Sequence, residues 1–347
     1  LTAKSTSYLH IDLGGNDLMK GKKYQRFASA ALILALVLAT PAMALFGKKG
    51  NESAVPVEGA PIARELEIKT YRNIPYHAQF LSTDAEGDDV TYAVVQEPKH
   101  GTVTVDGAEF LYTPAEGRTG TDSFTYAATD ASGNASTPAT VSVTVSKTKS
   151  GVTYADTGNS TAAAAAQQLA EEGVFTGAKI GNQYFFEPDR TVTRSEFLAM
   201  TMETAGLDAS AVTMTGFCDD EAIPAWAKSY AAAALSNGVV QGTNTVTGVA
   251  FRGSDPVTYN EAAAILNRVL SVSDVDLATW YADRNAVPSW AAQAVGNMEA
   301  VSVLAAGSFG SSGLEKPVTR ADAAKMLTSA GTLLVGEQTG LFDWITG

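Results

Sequence analysis

The chain has 347 residues, with 37 Asp or Glu against 24 Lys or Arg and a formal net charge of −13. So acidic a chain does not neutralise phosphates, which argues against nucleic acid as a partner. Apolar residues at 45% and charged ones at 18% place it among folded globular chains. Its single cysteine, Cys218, excludes an intrachain disulfide, and His10, His77 and His100 leave little for a histidine-based triad or zinc site.

At the N-terminus, the basic run Met19-Lys-Gly-Lys-Lys-Tyr-Gln-Arg26 is followed by an apolar stretch from Ala30 to Ala39 and by Pro41-Ala-Met-Ala44. That order of basic, apolar and small residues predicts a secretory signal over 19–44. Ten apolar residues span only about 15 Å as a helix, half a bilayer core, so a transmembrane anchor is the weaker reading. Residues 1–18 read as translated leader and 45–59 as a linker. Without 1–44 the charge becomes 19 − 35 = −16, because that segment holds five bases and two acids. No membrane contact is expected after signal cleavage.

Residues 60–146 alternate in period two: Leu66 to Tyr71, Val90 to Val95, Gly101 to Val105, Ala108 to Tyr112, Ser123 to Ala128 and Ala139 to Val145. β-Branched and aromatic residues in that rhythm predict half-buried strands. Asp106-Gly107 predicts a hairpin turn, and about seven short strands predict a β-sandwich. Asp84-Ala-Glu-Gly-Asp-Asp-Val-Thr-Tyr92, Pro98-Lys-His-Gly101, Phe110-Leu-Tyr-Thr-Pro114 and Gly120-Thr-Asp-Ser-Phe-Thr-Tyr126 resemble the bacterial immunoglobulin-like, cadherin-like repeats of surface proteins. The resemblance implies a spacer or an adhesive module. Asp84, Glu86, Asp88 and Asp89 offer clustered hard oxygens around a glycine, which would suit calcium as a cofactor; a solvated acidic turn is the competing role. His100 reads as a turn residue.

After a linker at 147–153 the chain repeats itself. Aromatic-x-Asp recurs as Tyr154-Ala-Asp156, Phe217-Cys-Asp219 and Tyr281-Ala-Asp283, spaced by 63 and 64 residues. Val192-Thr-Arg-Ser-Glu196, Val257-Thr-Tyr-Asn-Glu261 and Val318-Thr-Arg-Ala-Asp322 follow, with the threonine 37, 39 and 36 residues after the aspartate. The units fall at 154–207, 217–271 and 281–331, with a tail at 332–347. Each reads as two helices joined by a glycine-containing loop. Pro224 opens a helix with Trp226, Tyr230 and Ala234 on one face, and Asn237-Gly238 stops it. Thr193/Glu196 and Thr258/Glu261 predict capping boxes, and Thr319/Asp322 a shortened one. A unit of about 60 residues is too small to bury a core alone, so three are expected to pack together. Cys218, aligned with Ala155 and Ala282, is expected to be buried.

Arg194 and Arg320 sit in first helical turns, where a cation is mildly disfavoured by the helix dipole. Two roles fit. One is a compact anion site for a carboxylate or acidic sugar beside free N–H groups; the other is an ion pair with a neighbouring acid such as Asp156 or Asp283.

These motifs and spacings resemble the S-layer homology family. The resemblance implies an all-α, pseudo-threefold bundle of three units following the β-sandwich. It further implies grooves that bind the secondary polysaccharide of a Gram-positive-type wall, often pyruvylated. Carried over by position, the polysaccharide-binding set is Arg194, Arg320, Trp226, Trp290, Asp156, Asp219 and Asp283, with Tyr259 in the arginine position of the second unit. The first unit has Ala163 where the others have tryptophan, and Ser302 replaces the loop glycine of the third. The expected protein is secreted, held non-covalently at the cell wall in an S-layer, and not an enzyme, since no catalytic motif stands out. The alternative is an adhesin whose immunoglobulin-like domain binds a host or cell-surface ligand with calcium.

Overall fold

The computed structural model describes residues 59–85, 89–158, 160–209, 211–280, 287–305, 307–308 and 313–338. The expected leader and signal peptide lie outside these residues, as do Glu86, Asp88, the Tyr281-Ala-Asp283 motif and the end of the tail. The chain divides into a β unit ending at Thr148 and a helical unit from Lys149 onward.

Among the described residues of the β unit nine strands follow one another: β1 (Ile62–Ala63), β2 (Leu66–Tyr71), β3 (Tyr76–Gln79), β4 (Ser82–Thr83), β5 (Thr91–Gln96), β6 (Gly101–Asp106), β7 (Glu109–Pro114), β8 (Gly120–Thr129) and β9 (Ala139–Ser146). They form a four-stranded sheet in the order β2-β9-β8-β5, a three-stranded sheet β3-β7-β6 and the small pair β1-β4. All pairs are antiparallel except β2 with β9, which run parallel from Leu66 opposite Val141 to Tyr71 opposite Ser146. The expected alternation is present: Ala139, Val141, Val143 and Val145 of β9 are buried, and the residues between them are not. They meet Ile68, Phe80, Phe110, Tyr112, Phe124 and Tyr126 in one core, each large side chain contributing on the order of 1.5 to 3 kcal/mol. Phe80 stacks on Phe110 at 4.6 Å and on Tyr126 at 4.3 Å between ring centroids.

Two polar residues explain the motifs that carried the resemblance. Asp122 accepts from the backbone N–H of Lys99 (3.0 Å), His100 (2.9 Å) and Ser123 (2.9 Å) and from the Tyr112 hydroxyl (3.0 Å). Burial would raise its pKa, but these four donors outweigh it and hold the carboxyl below its usual range. The turn Pro98-Lys-His-Gly101 is thus moored to β8, and a Cβ on Gly101 would lie 2.7 Å from the Thr113 carbonyl and the Tyr112 ring. The Tyr126 hydroxyl lies 2.5 Å from the Arg64 carbonyl and 2.7 Å from that of Leu81, and accepts the amides of both residues. The hairpin turn falls one residue later than expected. Asp106 pairs with Glu109, so the loop is Gly107-Ala108, with glycine at φ 60° where a positive angle is needed.

The helical unit contains α1 (Ala163–Glu171), α2 (Arg194–Thr204), α3 (Lys228–Ser236), α4 (Tyr259–Leu270), the short α5 (Leu277–Trp280), α6 (Ser289–Ala300) and α7 (Arg320–Gln338). Pro224 is followed by a 3-10 turn, Ala225–Ala227, before α3 begins. The loops between helices are more structured than expected. They carry the hairpins β10 (Ala178–Ile180) with β11 (Gln183–Phe185) and β12 (Thr243–Thr245) with β13 (Gly248–Ala250). The last helix runs past residue 331 to Gln338, into the stretch read as tail.

Packing is cyclic. α2 lies against α3, α4 against α6, and α7 against α1, so the second helix of each repeat covers the first helix of the next. α2, α4 and α7 also touch one another, and a single hydrophobic cluster runs through all three repeats. At its centre the Val192 amide donates to the Val318 carbonyl (2.9 Å), Val318 to Val257 (2.8 Å) and Val257 to Val192 (3.0 Å). The bonds close into a ring of three valines, each at most 1% exposed. Position 302 retains the backbone of the glycine it replaces. Ser302 has φ 59°, against 72° at Gly238 and 74° at Gly173.

Candidate functional site

The site is assembled where the start of one repeat's second helix meets the hairpin loop of another. Thr193 and Thr258 form complete capping boxes: each hydroxyl accepts from the amide of Glu196 or Glu261, and that carboxylate accepts the threonine amide in return. In the third repeat the Thr319 hydroxyl accepts the Asp322 amide and donates back to Asp322 Oδ2 at 2.5 Å. That carboxylate also receives the Tyr259 hydroxyl at 2.6 Å. Burial, then Asp322, raises the Tyr259 pKa, so this phenol stays protonated and donating.

The aspartates are loop clamps. Asp156 accepts from the amides of Phe186 (2.9 Å) and Glu187 (2.7 Å); Asp219 accepts from Phe251 (2.8 Å) and Arg252 (2.7 Å). Glu187 and Arg252 both have left-handed backbones, at φ 55° and 60°. A non-glycine residue there is disfavoured by roughly 1–2 kcal/mol, which charge-assisted bonds to both amides offset. Asp283 lies outside the described residues.

Neither arginine stands open. Arg320 is 3% exposed; its Nη1 donates to the Phe186 carbonyl (2.8 Å) and to Glu187 Oε2 (2.9 Å), and the guanidinium lies 5.0 Å from the Phe175 ring centroid. Arg194 Nη2 donates to Glu261 Oε1 at 2.5 Å, with its Nε buried and unpartnered. Of the two roles open to these residues, the structure shows ion pairing, to Glu187 and Glu261, with Asp156 engaged instead on the Phe186 and Glu187 amides. Burying a guanidinium at a helix start demands a counter-charge, which Glu187 and Glu261 supply. Desolvation, followed by neighbouring Arg190, lowers the Arg320 pKa.

The tryptophans differ. Trp226 is partly buried against the core, whereas Trp290 is 59% exposed. Cys218, expected in the core, is exposed. Its sulfur lies beside the Thr245 and Thr247 hydroxyls of the hairpin rather than in the alanine-sized core slot expected of it. Sequence reasoning missed Arg190 and Glu187 and read Glu196 as a helix cap alone; together with Arg320 these form a charged cluster. Arg190 Nη2 lies 3.2 Å from Glu196 Oε1 and its Nη1 3.5 Å from Glu187 Oε2. Of the acidic set in the β unit, Asp84 and Asp89 are described, and no group of three or more His, Cys, Asp or Glu among the described residues is arranged to hold a metal. No helix among them is long and apolar enough to cross a membrane.

Comparison with known proteins matches two families. Residues 58–144 match the family model "Bacterial Ig domain", and 153–198 with 216–263 match "S-layer homology domain". The chain is 29% identical over 104 residues to the "Surface-layer 125 kDa protein" of Lysinibacillus sphaericus, a match covering 30% of this chain and 8% of that protein. Among solved structures, an endo-fucoidan hydrolase of glycoside hydrolase family 107 aligns at 24% identity with a TM-score of 0.22, covering 29% of this chain and 15% of that one. The fibronectin(III)-like modules of Clostridium thermocellum CbhA align at 19% identity with a TM-score of 0.19, covering 25% and 47%. Likeness at that level carries no argument. The chain thus contains a bacterial Ig domain at 58–144 and S-layer homology units at 153–198 and 216–263.

Proposed function

We propose that this is an exported surface protein whose helical unit anchors it non-covalently to a bacterial cell wall by binding an acidic secondary polysaccharide, pyruvate-bearing in the simplest case. The Ig domain is then displayed as a spacer or adhesive module. We further read the segment from α6 to the end of α7 as a third S-layer homology unit, completing a pseudo-threefold bundle. The observation that carries this is the ring of Val192, Val257 and Val318, to which the third segment contributes on the same terms as the two matched units. The match to a surface-layer protein supports the wall as the site of action. The domain content is that of a binding or structural protein rather than an enzyme.

Residues 151–347 hold 10 bases and 21 acids, a net of −11. Long-range attraction therefore cannot draw an acidic polymer in, and affinity must come from local contacts working against a repulsive field. The test is cosedimentation of the full chain with purified sacculi before and after mild acid removes the secondary polymer. Pelleting should be lost with the polymer, while moderate salt should leave it unchanged or tighter. Equal pelleting in both preparations refutes the reading.

A further inference from the structure

The charged cluster where the first and third repeats meet has the composition of an anion site that is already filled. Arg320 and Arg190 both address the same oxygen, Glu187 Oε2, at 2.9 and 3.5 Å. Arg320 is fixed from three sides: by the Phe186 carbonyl, by the Phe175 face and by its own burial at 3% exposure. The carboxylate that neutralises it is nothing like as fixed, since the Glu187 side chain is 46% exposed and Arg190 is 45% exposed. Glu187 also stands on a left-handed backbone held by the Asp156 clamp, so the loop presents this side chain to the arginines against local preference. Glu196 cannot act as an exchangeable group: its Oε1 lies 3.2 Å from Arg190 Nη2, but its Oε2 accepts the Thr193 amide in the capping box, and the residue is buried and fixed there.

We infer that Glu187 is an internal stand-in for the carboxylate of the ligand. It occupies the Arg190–Arg320 pair in the free protein and must swing into solvent for an acidic sugar to bind there. No bond is made or broken in the exchange; one carboxylate leaves the guanidinium pair and another replaces it. With Glu187 withdrawn, Glu196 still neutralises Arg190 at 3.2 Å, but Arg320 keeps only the Phe186 carbonyl as a direct acceptor, so the pair is one negative charge short and an external monocarboxylate suits the vacancy where a neutral sugar does not. Glu187 then sets both affinity and selectivity at this groove. Apparent affinity is reduced by the fraction of molecules in which the groove is open.

This rests on the anchoring reading, and the experiment separates the two. The full-length wild type, Glu187→Gln and a charge-matched control, Glu221→Gln at an exposed position of the second repeat, are titrated against sacculi that carry the polymer, with thermal unfolding followed in parallel. Glu187→Gln should bind about tenfold tighter, as for a groove otherwise open about a tenth of the time, while Glu221→Gln gains less than about twofold, the part owed to net charge alone. If the wild type pellets and folded Glu187→Gln binds equally or more weakly, or if the two substitutions gain alike, the stand-in is refuted and anchoring survives. If no variant pellets, the anchoring reading fails with it. Should Glu187→Gln not fold, Glu187→Asp, which keeps the charge but shortens the reach, should still bind about two- to threefold tighter; unchanged binding refutes the inference.

Discussion

Glu261 has two duties that can be separated experimentally: it caps α4 through the Thr258 amide at 3.0 Å and neutralises Arg194 at 2.5 Å. Replacing it with alanine removes a charge-assisted hydrogen bond and leaves a guanidinium whose side chain is only 12% exposed without a counter-charge. Exposed pairs are worth about 1 kcal/mol or less, and breaking fully buried ones costs about 3–5 kcal/mol. With the Glu261 side chain 22% exposed, the pair falls between these limits. Coupling of about 2 kcal/mol is expected in a double-mutant cycle of Arg194→Met, Glu261→Ala and the combination, with Glu261→Ala alone costing about 2–4 kcal/mol. Urea unfolding followed by tryptophan fluorescence reads the helical unit selectively, because all four tryptophans, Trp226, Trp280, Trp290 and Trp344, lie beyond Lys149. Coupling below about 0.5 kcal/mol would show that Arg194 does not depend on Glu261 and would refute its assignment as a structural ion pair.

Ser302→Gly should stabilise the helical unit by about 0.5–1 kcal/mol, since φ 59° is strained for serine and open to glycine; an unchanged or lower urea midpoint in the same fluorescence assay contradicts this. Asp220 is held to a pKa of about 2, first by the Lys228 ammonium at 2.5 Å and then by Thr215. A depressed carboxyl stabilises above its unfolded pKa, near 3.8, and that contribution is lost as pH falls toward 2. Thermal unfolding of Asp220→Asn should therefore show a lower Tm than wild type at pH 6 and convergence with it by about pH 2; a constant difference across that range would rule out titration of Asp220 as the cause.

What could be read beforehand was local. The capping boxes at Thr193 and Thr258, the helix stop at Asn237-Gly238 and the alternation of β9 each need only residues within a few positions of one another. The third box was correctly read as shortened: Asp322, one methylene shorter than glutamate, accepts the hydroxyls of Thr319 and Tyr259. The partners of the arginines were illegible, because Glu187 and Glu261 stand 133 and 67 residues from them and meet only when the ring of repeats closes. The hairpins were missed for another reason. Strands of three residues give too little alternation to separate from loop, although Gly181 and the run Thr243 to Ala250 carried a faint turn-and-strand signal. Cys218 was misplaced by assuming that alanine in sister positions means burial.

The valine ring has no first or last member. In an open row of repeats the end one can be shed and the remainder stays folded, as each touches only its neighbours. Here, cutting the chain after the second repeat would strand the Val192 amide and the Val257 carbonyl in a dry interior, and bare α1 along the side α7 covers. Losing any one segment therefore opens the whole circle, and truncation after the second repeat should unfold the entire helical unit rather than a third of it.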